Sequence, residues 1–200
     1  MRVVGLLGLL LAVGLIVSCS EKSEQPKAEK TEQTSAVPVK KLTQGTPPSK
    51  VAQELNKAGD AYNFKASACG DNCLKLEITP SFELSGKPSA AGIAPYLYYA
   101  VGELCKSGLA PLANVEIDLK YKTKEGTYDL LTMKGLKTDF CTYYDSVKNN
   151  NSMDIVKGYQ LLNLYSNSAI KIKVENSQGV EEICKGMEKF IGSFCHHLGF

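Results

Sequence analysis

Seven cysteines and two histidines give this 200-residue chain its widest range of chemistry. Cys69 and Cys73 are spaced C-x-x-x-C, one residue longer than the thioredoxin-type redox motif. Asp71 lies between them, and a like charge beside a thiolate raises the thiol pKa. The pair therefore reads as a structural staple ahead of a redox couple. His196 and His197 are adjacent, so on a helix they point about 100° apart and cannot ligate as an i, i+4 pair would. Their favourable interaction with a helix C-terminus accounts for them. A metal set of Cys195 with one of them would need reduced thiols. Any Ser-His-Asp or Cys-His mechanism would also have to use one of these two histidines. The chain has no G-x-S-x-G elbow, P-loop, H-E-x-x-H or C-x-x-C-H motif. Paired carboxylates for hydrolysis cannot be picked out from spacing. The sequence calls for no cofactor and no metal.

Six of the cysteines follow the first: Cys69, Cys73, Cys105, Cys141, Cys184 and Cys195. An even number suits three disulfides in an oxidising compartment. Cys69 and Cys73 flank Gly70-Asp71-Asn72, a turn between two alternating apolar runs, so a bridge across the neck of a hairpin is expected. Residues 180–198 read as one helix with Ile183, Cys184, Met187, Phe190, Ile191, Phe194, Cys195 and Leu198 on one face. On one helix Cys184 and Cys195 would be roughly 16 Å apart, beyond the about 7 Å that a disulfide tolerates. They are expected not to pair with each other. Cys105 and Cys141 are then left to take Cys184 and Cys195, in one of two ways, clamping the last helix to the domain.

Tyr96, Tyr98 and Tyr99 cluster on one predicted helix, and Tyr143 and Tyr144 on another. Neighbouring helical tyrosines cannot all face a core. Tyr96, Tyr99 and Tyr143 are therefore candidate binding residues for a protein or glycan, against the simpler alternative of a helix packed between two layers.

The elements that must hold these residues read as follows. Ser49 caps a short helix with Val51, Leu55 and Ala58 on one face, ended by Gly59. Strands near 61–69 and 73–84 form the hairpin, with Pro80 marking an edge or bulge. Pro95 opens a helix to about Ser107 that carries Leu97, Val101, Leu104 and Cys105. The clearest strand places Val115, Ile117, Leu119 and Tyr121 inward and Glu116, Asp118, Lys120 and Lys122 outward. Glu125-Gly126 turns into a strand over 127–134. A short helix carries Phe140, Tyr143, Tyr144 and Val147. Residues 153–166 fit either helix or strand, and 169–175 form a strand. Half-polar strands of this kind predict an α+β fold: a mainly antiparallel sheet with helices packed on one face, closed by three disulfides.

Ser20 to Lys50 has no aromatic residue and is rich in Lys, Glu, Gln, Ser, Thr and Pro. Such a segment buries too little apolar area to offset its ordering entropy, so it reads as a flexible tether. Before it, Arg2 precedes an apolar run from Val3 to Val17, too short to span a bilayer comfortably, and then Ile16-Val17-Ser18-Cys19. This resembles the signal peptide and lipobox of bacterial lipoproteins. The resemblance implies cleavage before Cys19 and acylation of Cys19 by several chains, which together anchor a protein nearly permanently. In that class an Asp after the cysteine retains the protein in the inner membrane of enteric bacteria. Ser20 stands there, which implies the outer membrane.

The resulting organisation is 1–18 signal peptide, 19–49 lipidated cysteine and tether, and 50–200 a single domain. Arg2 is the chain's one arginine, so lysines alone balance 21 acidic residues beyond it. That near-neutral balance gives no case for nucleic acid. The expected function is a lipid-anchored cell-envelope binding domain without catalytic activity, its partner another envelope protein or a glycan. The alternative is an accessory redox or metal-handling lipoprotein.

Overall fold

The computed structural model describes residues 45–80 and 87–200. Cys19, the lipobox and nearly all of the tether lie outside the described residues. So does the whole stretch beyond Pro80, residues 81–84, expected to extend the second hairpin strand.

Helix α1 spans Pro48–Gly59, with Pro48 rather than a capping Ser49 at its first turn. A proline fits there because that turn's N–H groups have no intrahelical partner. After a 3-10 turn at Asp60–Tyr62, strand β1 runs Phe64–Gly70 and β2 Cys73–Ile78. Helix α2 is Ala90–Lys106, β3 Asn114–Lys122, β4 Thr127–Leu136 and α3 Lys137–Lys148. Then come α4 at Asp154–Ser166, β5 at Lys171–Val174, α5 at Ser177–Cys184 and α6 at Glu188–His197. The ambiguous stretch at 153–166 is thus helical.

The sheet order is β1-β2-β3-β4-β5. Three neighbouring pairs are antiparallel, and β2 pairs with β3 in parallel. The fold is α+β with a mainly antiparallel sheet. The parallel pair requires a crossover, which α2 supplies. This explains why α2 is long and apolar. It starts at Ala90, capped by Ser89 Oγ accepting from the Gly92 N–H at 3.1 Å, and not at Pro95. Pro95 lies inside the helix.

Alternation sorts the strands into two faces. Phe64, Leu74, Leu76, Ile78, Val115, Ile117, Leu119, Leu131 and Met133 are buried beneath the helices. Helices α2 and α4 cross in backbone contact, because a Cβ on Gly158 would overlap the Ala94 carbonyl oxygen. Asn163 of α4 ties down α6: its Nδ2 donates to Phe190 O at 2.7 Å and its Oδ1 accepts from Phe194 N–H at 3.1 Å. Lys137 is buried, and its Nζ donates to the carbonyls of Ser107 (2.7 Å) and Leu109 (2.9 Å), closing the C-terminal end of α2. Burial pushes its pKa down.

The cysteines pair Cys69–Cys73, Cys105–Cys141 and Cys184–Cys195. The hairpin staple is as expected, and the other two pairings are not. The helix expected over 180–198 breaks at Lys185-Gly186-Met187, where Gly186 takes φ +71°. That left-handed residue ends α5 and turns α6 back. Cys184 and Cys195 therefore come to a Cα separation of 5.8 Å, which leaves Cys105 and Cys141 to join α2 to α3 at 5.5 Å.

Candidate functional site

The tyrosines proposed for binding lie in the helical layer. Tyr99 is half-buried and donates to Asp154 Oδ2 at 2.5 Å, and its ring stacks on Tyr62 at 4.6 Å. The Asp154 hydrogen bond, with burial added, pushes its phenol up to about 12. Tyr98 and Tyr144 pack at 5.2 Å, with Lys157 Nζ 5.2 Å from the Tyr98 ring centre. Burial first, then the Tyr98 contact, also raises Tyr144 to about 12. Tyr143 lies apart from that cluster, edge-on to Tyr165 at 6.0 Å. Tyr96 is partly buried against the core. Tyr99 thus joins Tyr62, Tyr98 and Tyr144, while Tyr143 packs on Tyr165.

Among the described residues, the charged contacts on the opposite face of the sheet involve no helix side chain and are built from Lys and carboxylates. Lys75 Nζ sits 2.6 Å from Asp118 Oδ2, 3.3 Å from Glu116 and 3.9 Å from Glu77. Lys134 reaches Glu116 at 2.6 Å. Lys120 reaches Asp129 at 3.1 Å and Glu77 at 3.6 Å. Thr132 Oγ1 donates to Asp118 Oδ1 at 2.9 Å. These side chains meet because directly paired residues on neighbouring strands share a face: Lys75 with Glu116, Asp118 with Thr132, Lys120 with Asp129. The lattice leaves Asp118 only 7% exposed. Alternation had marked Asp118 as outward, and so it is, but its neighbours cover it.

The charges follow the contacts. The hydrogen bond to Asp118, helped by Glu116 and opposed by burial, holds the Lys75 ammonium well above the usual lysine value. The Lys134 contact, with Lys75 behind it, holds Glu116 below the usual carboxylate range although burial works against it. For Lys120, burial works downward, and the Asp129 hydrogen bond with the charges of Glu77, Asp129 and Asp118 overcomes it, so the pKa rises.

At one end of this face the lattice opens into a cleft of about 430 Å³. Lys65, Glu77, Lys120 and Lys122 line it from the strands, with Asp60, Asn63, Thr79 and Thr127 around them. Asn63 takes a left-handed conformation (φ 50°) that turns the chain from the 3-10 segment into β1, and its carbonyl accepts from Thr79 N–H at 2.8 Å. The volume is in the range of small-molecule sites, whose lining is usually more apolar than this one. Sequence reading missed the cleft because its walls come from β1, β2, β3, β4 and the end of α1, brought together by pairing. The usable signal was the second half of the β3 alternation, Lys120 and Lys122 with Tyr121 between them.

The cleft lies at the far end of β3 from the Thr46–Gly108 contact. Thr46 N–H donates to Gly108 O at 2.8 Å, in the loop that leads into β3. Lys122 closes the other end of β3, eight residues after Asn114, which is roughly 25 Å along a strand.

His196 and His197 are exposed in the last turn of α6. Among the described residues, no three His, Cys, Asp or Glu side chains come together to hold a metal ion. No described helix is long and apolar enough to cross a membrane. Comparison with protein-family models, with curated proteins and with solved structures found no match.

Proposed function

We propose that this chain is a lipid-anchored domain of the bacterial cell envelope that binds a partner and does not catalyse. Cys19 carries the lipid, the outer membrane is the address, and the open sheet face with its cleft is the binding surface. The observation that carries the reading is the position of the cleft. It opens at the end of β2 and β3 opposite the Thr46–Gly108 contact, which lies at the start of the described chain.

Two further features support it. All six cysteines beyond Cys19 are used as staples within one fold, as suits an oxidising compartment. Lys120 is raised rather than lowered, and a catalytic amine needs the opposite shift to serve as a base near neutral pH.

The test is done in cells on the full chain. An alkyne-palmitate label should mark the wild type and fail to mark Cys19→Ser, with the wild type in the outer-membrane fraction. A photo-crosslinker at Lys122 should capture an envelope component that one at Gln53, on α1, does not. Equal labelling of Cys19→Ser would overturn the anchor. Equal crosslinking from the two positions would overturn the assignment of the face.

A further inference from the structure

We infer that the cleft is an oxyanion site for a small polyhydroxylated acid, such as a sugar bearing a carboxylate or phosphate. This rests on the binding reading above and names the ligand class of the same surface.

The inference comes from where positive charge is left over. On the open face Lys75, Lys120, Lys134 and Lys173 each have a carboxylate within 4.0 Å. Lys65, Lys122 and Lys171 do not among the described residues, and the first two line the cleft. They lie on the same face, since Lys65 pairs with Glu77 and Lys122 with Thr127. Glu77 cannot neutralise them, because it is already shared by Lys120 at 3.6 Å and Lys75 at 3.9 Å. Two lysines, whose ammonium groups carry three donors each, thus border one cavity.

The rest of the lining selects against an unadorned polyanion. Asp60 also borders the cleft and makes no ion pair among the described residues. An ionised carboxylate only accepts hydrogen bonds, so it repels a second negative charge and suits hydroxyl donors. Thr79 and Thr127 add hydroxyls that can donate or accept. An acidic group on the lysines with hydroxyls against Asp60 and the threonines satisfies the whole lining. A neutral sugar would leave the ammonium groups unmatched, and a multiply charged polymer would meet Asp60.

The test is a 1H–15N NMR titration of the full chain in detergent. The probes are glucuronate, glucose 6-phosphate, glucose, and sodium chloride at matched ionic strength. Saturable amide shifts at Lys65, Thr79, Lys120, Lys122 and Thr127 are expected with the two acids, and much smaller ones with glucose or chloride. The Lys65→Gln/Lys122→Gln variant should keep its spectrum elsewhere and lose at least tenfold in affinity for the acids. The relative response to glucuronate and glucose 6-phosphate separates a carboxylate from a phosphate source. Equal shifts with glucose or chloride, shifts spread equally to Lys124 and Lys171, or no shift with either acid would each overturn the proposal. If that happens while the crosslink at Lys122 persists, the binding reading stands and only the ligand class falls.

Discussion

Leu76 and Lys75 are neighbours on β2 and sit on opposite faces of the same sheet. Leu76 is wholly buried beneath the helices. Lys75 lies among Asp118, Glu116 and Glu77 on a face that no described helix covers. One face is held by shape and by removal of apolar area from water. The other is held by direction, because each lysine must find its carboxylate across a strand pair. A non-directional contact survives small shifts and fails when volume is lost. A charge lattice tolerates lost volume and fails when one member is left without its opposite. The two faces should therefore respond to different insults.

The largest expected effect is on the covered face. Leu76→Ala removes a fully buried side chain at the sheet centre and should cost about 3–5 kcal/mol. Urea unfolding followed by far-UV circular dichroism measures it. A loss below about 1 kcal/mol would mean that the helices collapse onto the gap and that shape is not what holds this face.

The next effect tests the staples among the covering helices. On the chain-entropy model, bridges closing loops of 36, 11 and 4 residues contribute about 4, 3 and 2 kcal/mol. Cys105→Ala/Cys141→Ala should therefore lower Tm most, Cys184→Ala/Cys195→Ala less, and Cys69→Ala/Cys73→Ala least. The reverse order would show that the bridge at the hairpin tip, away from the helices, matters more than the helix clamps.

How far the sequence revealed these features follows from the range of the forces involved. Strict alternation at Val115, Ile117 and Leu119 marked β3 and its buried face, because a strand's period is two and depends on nothing distant. The Cys69–Cys73 bridge was visible for the same local reason. The Cys184–Cys195 bridge was misjudged because apolar spacing at Ile183, Met187, Phe190 and Phe194 continues across the break. Lys185-Gly186 was the overlooked sign, a glycine just past a helix end. Ser89 as the cap of α2 was hidden by the stronger expectation for Pro95. The parallel β2–β3 pair cannot be read from either strand alone. It made the burial of Asp118 and the walls of the cleft illegible too, since both depend on register between strands far apart in sequence.

On the open face, the expected insult is loss of a partner. Lys75→Met keeps much of the side-chain volume and leaves Asp118 nearly buried with Glu116 and Glu77 close by. It should cost about 2–3 kcal/mol, below the range for a fully buried pair because Lys75 is partly exposed. The pH dependence gives a second readout. Glu116 has a depressed folded pKa, so its contribution is present above the ordinary value of 4.5 and is lost as pH falls through the folded value. Wild-type stability should drop in that acid window. Lys75→Met, with one of the two lysines beside Glu116 removed, should drop less. Identical acid slopes would mean that Lys134 alone sets the Glu116 charge.

The smallest expected stability change marks the limit of the lattice. Lys65 and Lys122 lie on the same face as Lys75, yet neither has a carboxylate within 4.0 Å among the described residues. Lys65→Gln/Lys122→Gln should leave unfolding stability within about 0.5 kcal/mol of the wild type, as for surface changes that break no named interaction. Unlike the Lys75→Met case, no carboxylate is left behind, so the acid slope should match the wild type. A cost of 2 kcal/mol or a changed acid slope would place these two lysines inside the stabilising lattice. Near-silence in stability, next to the large response at Lys75, would separate lysines that hold the face together from lysines that hold nothing in the free protein. Charge kept at a cleft without structural use is what a binding surface requires, because the same ammonium cannot be both neutralised by the fold and offered to a ligand.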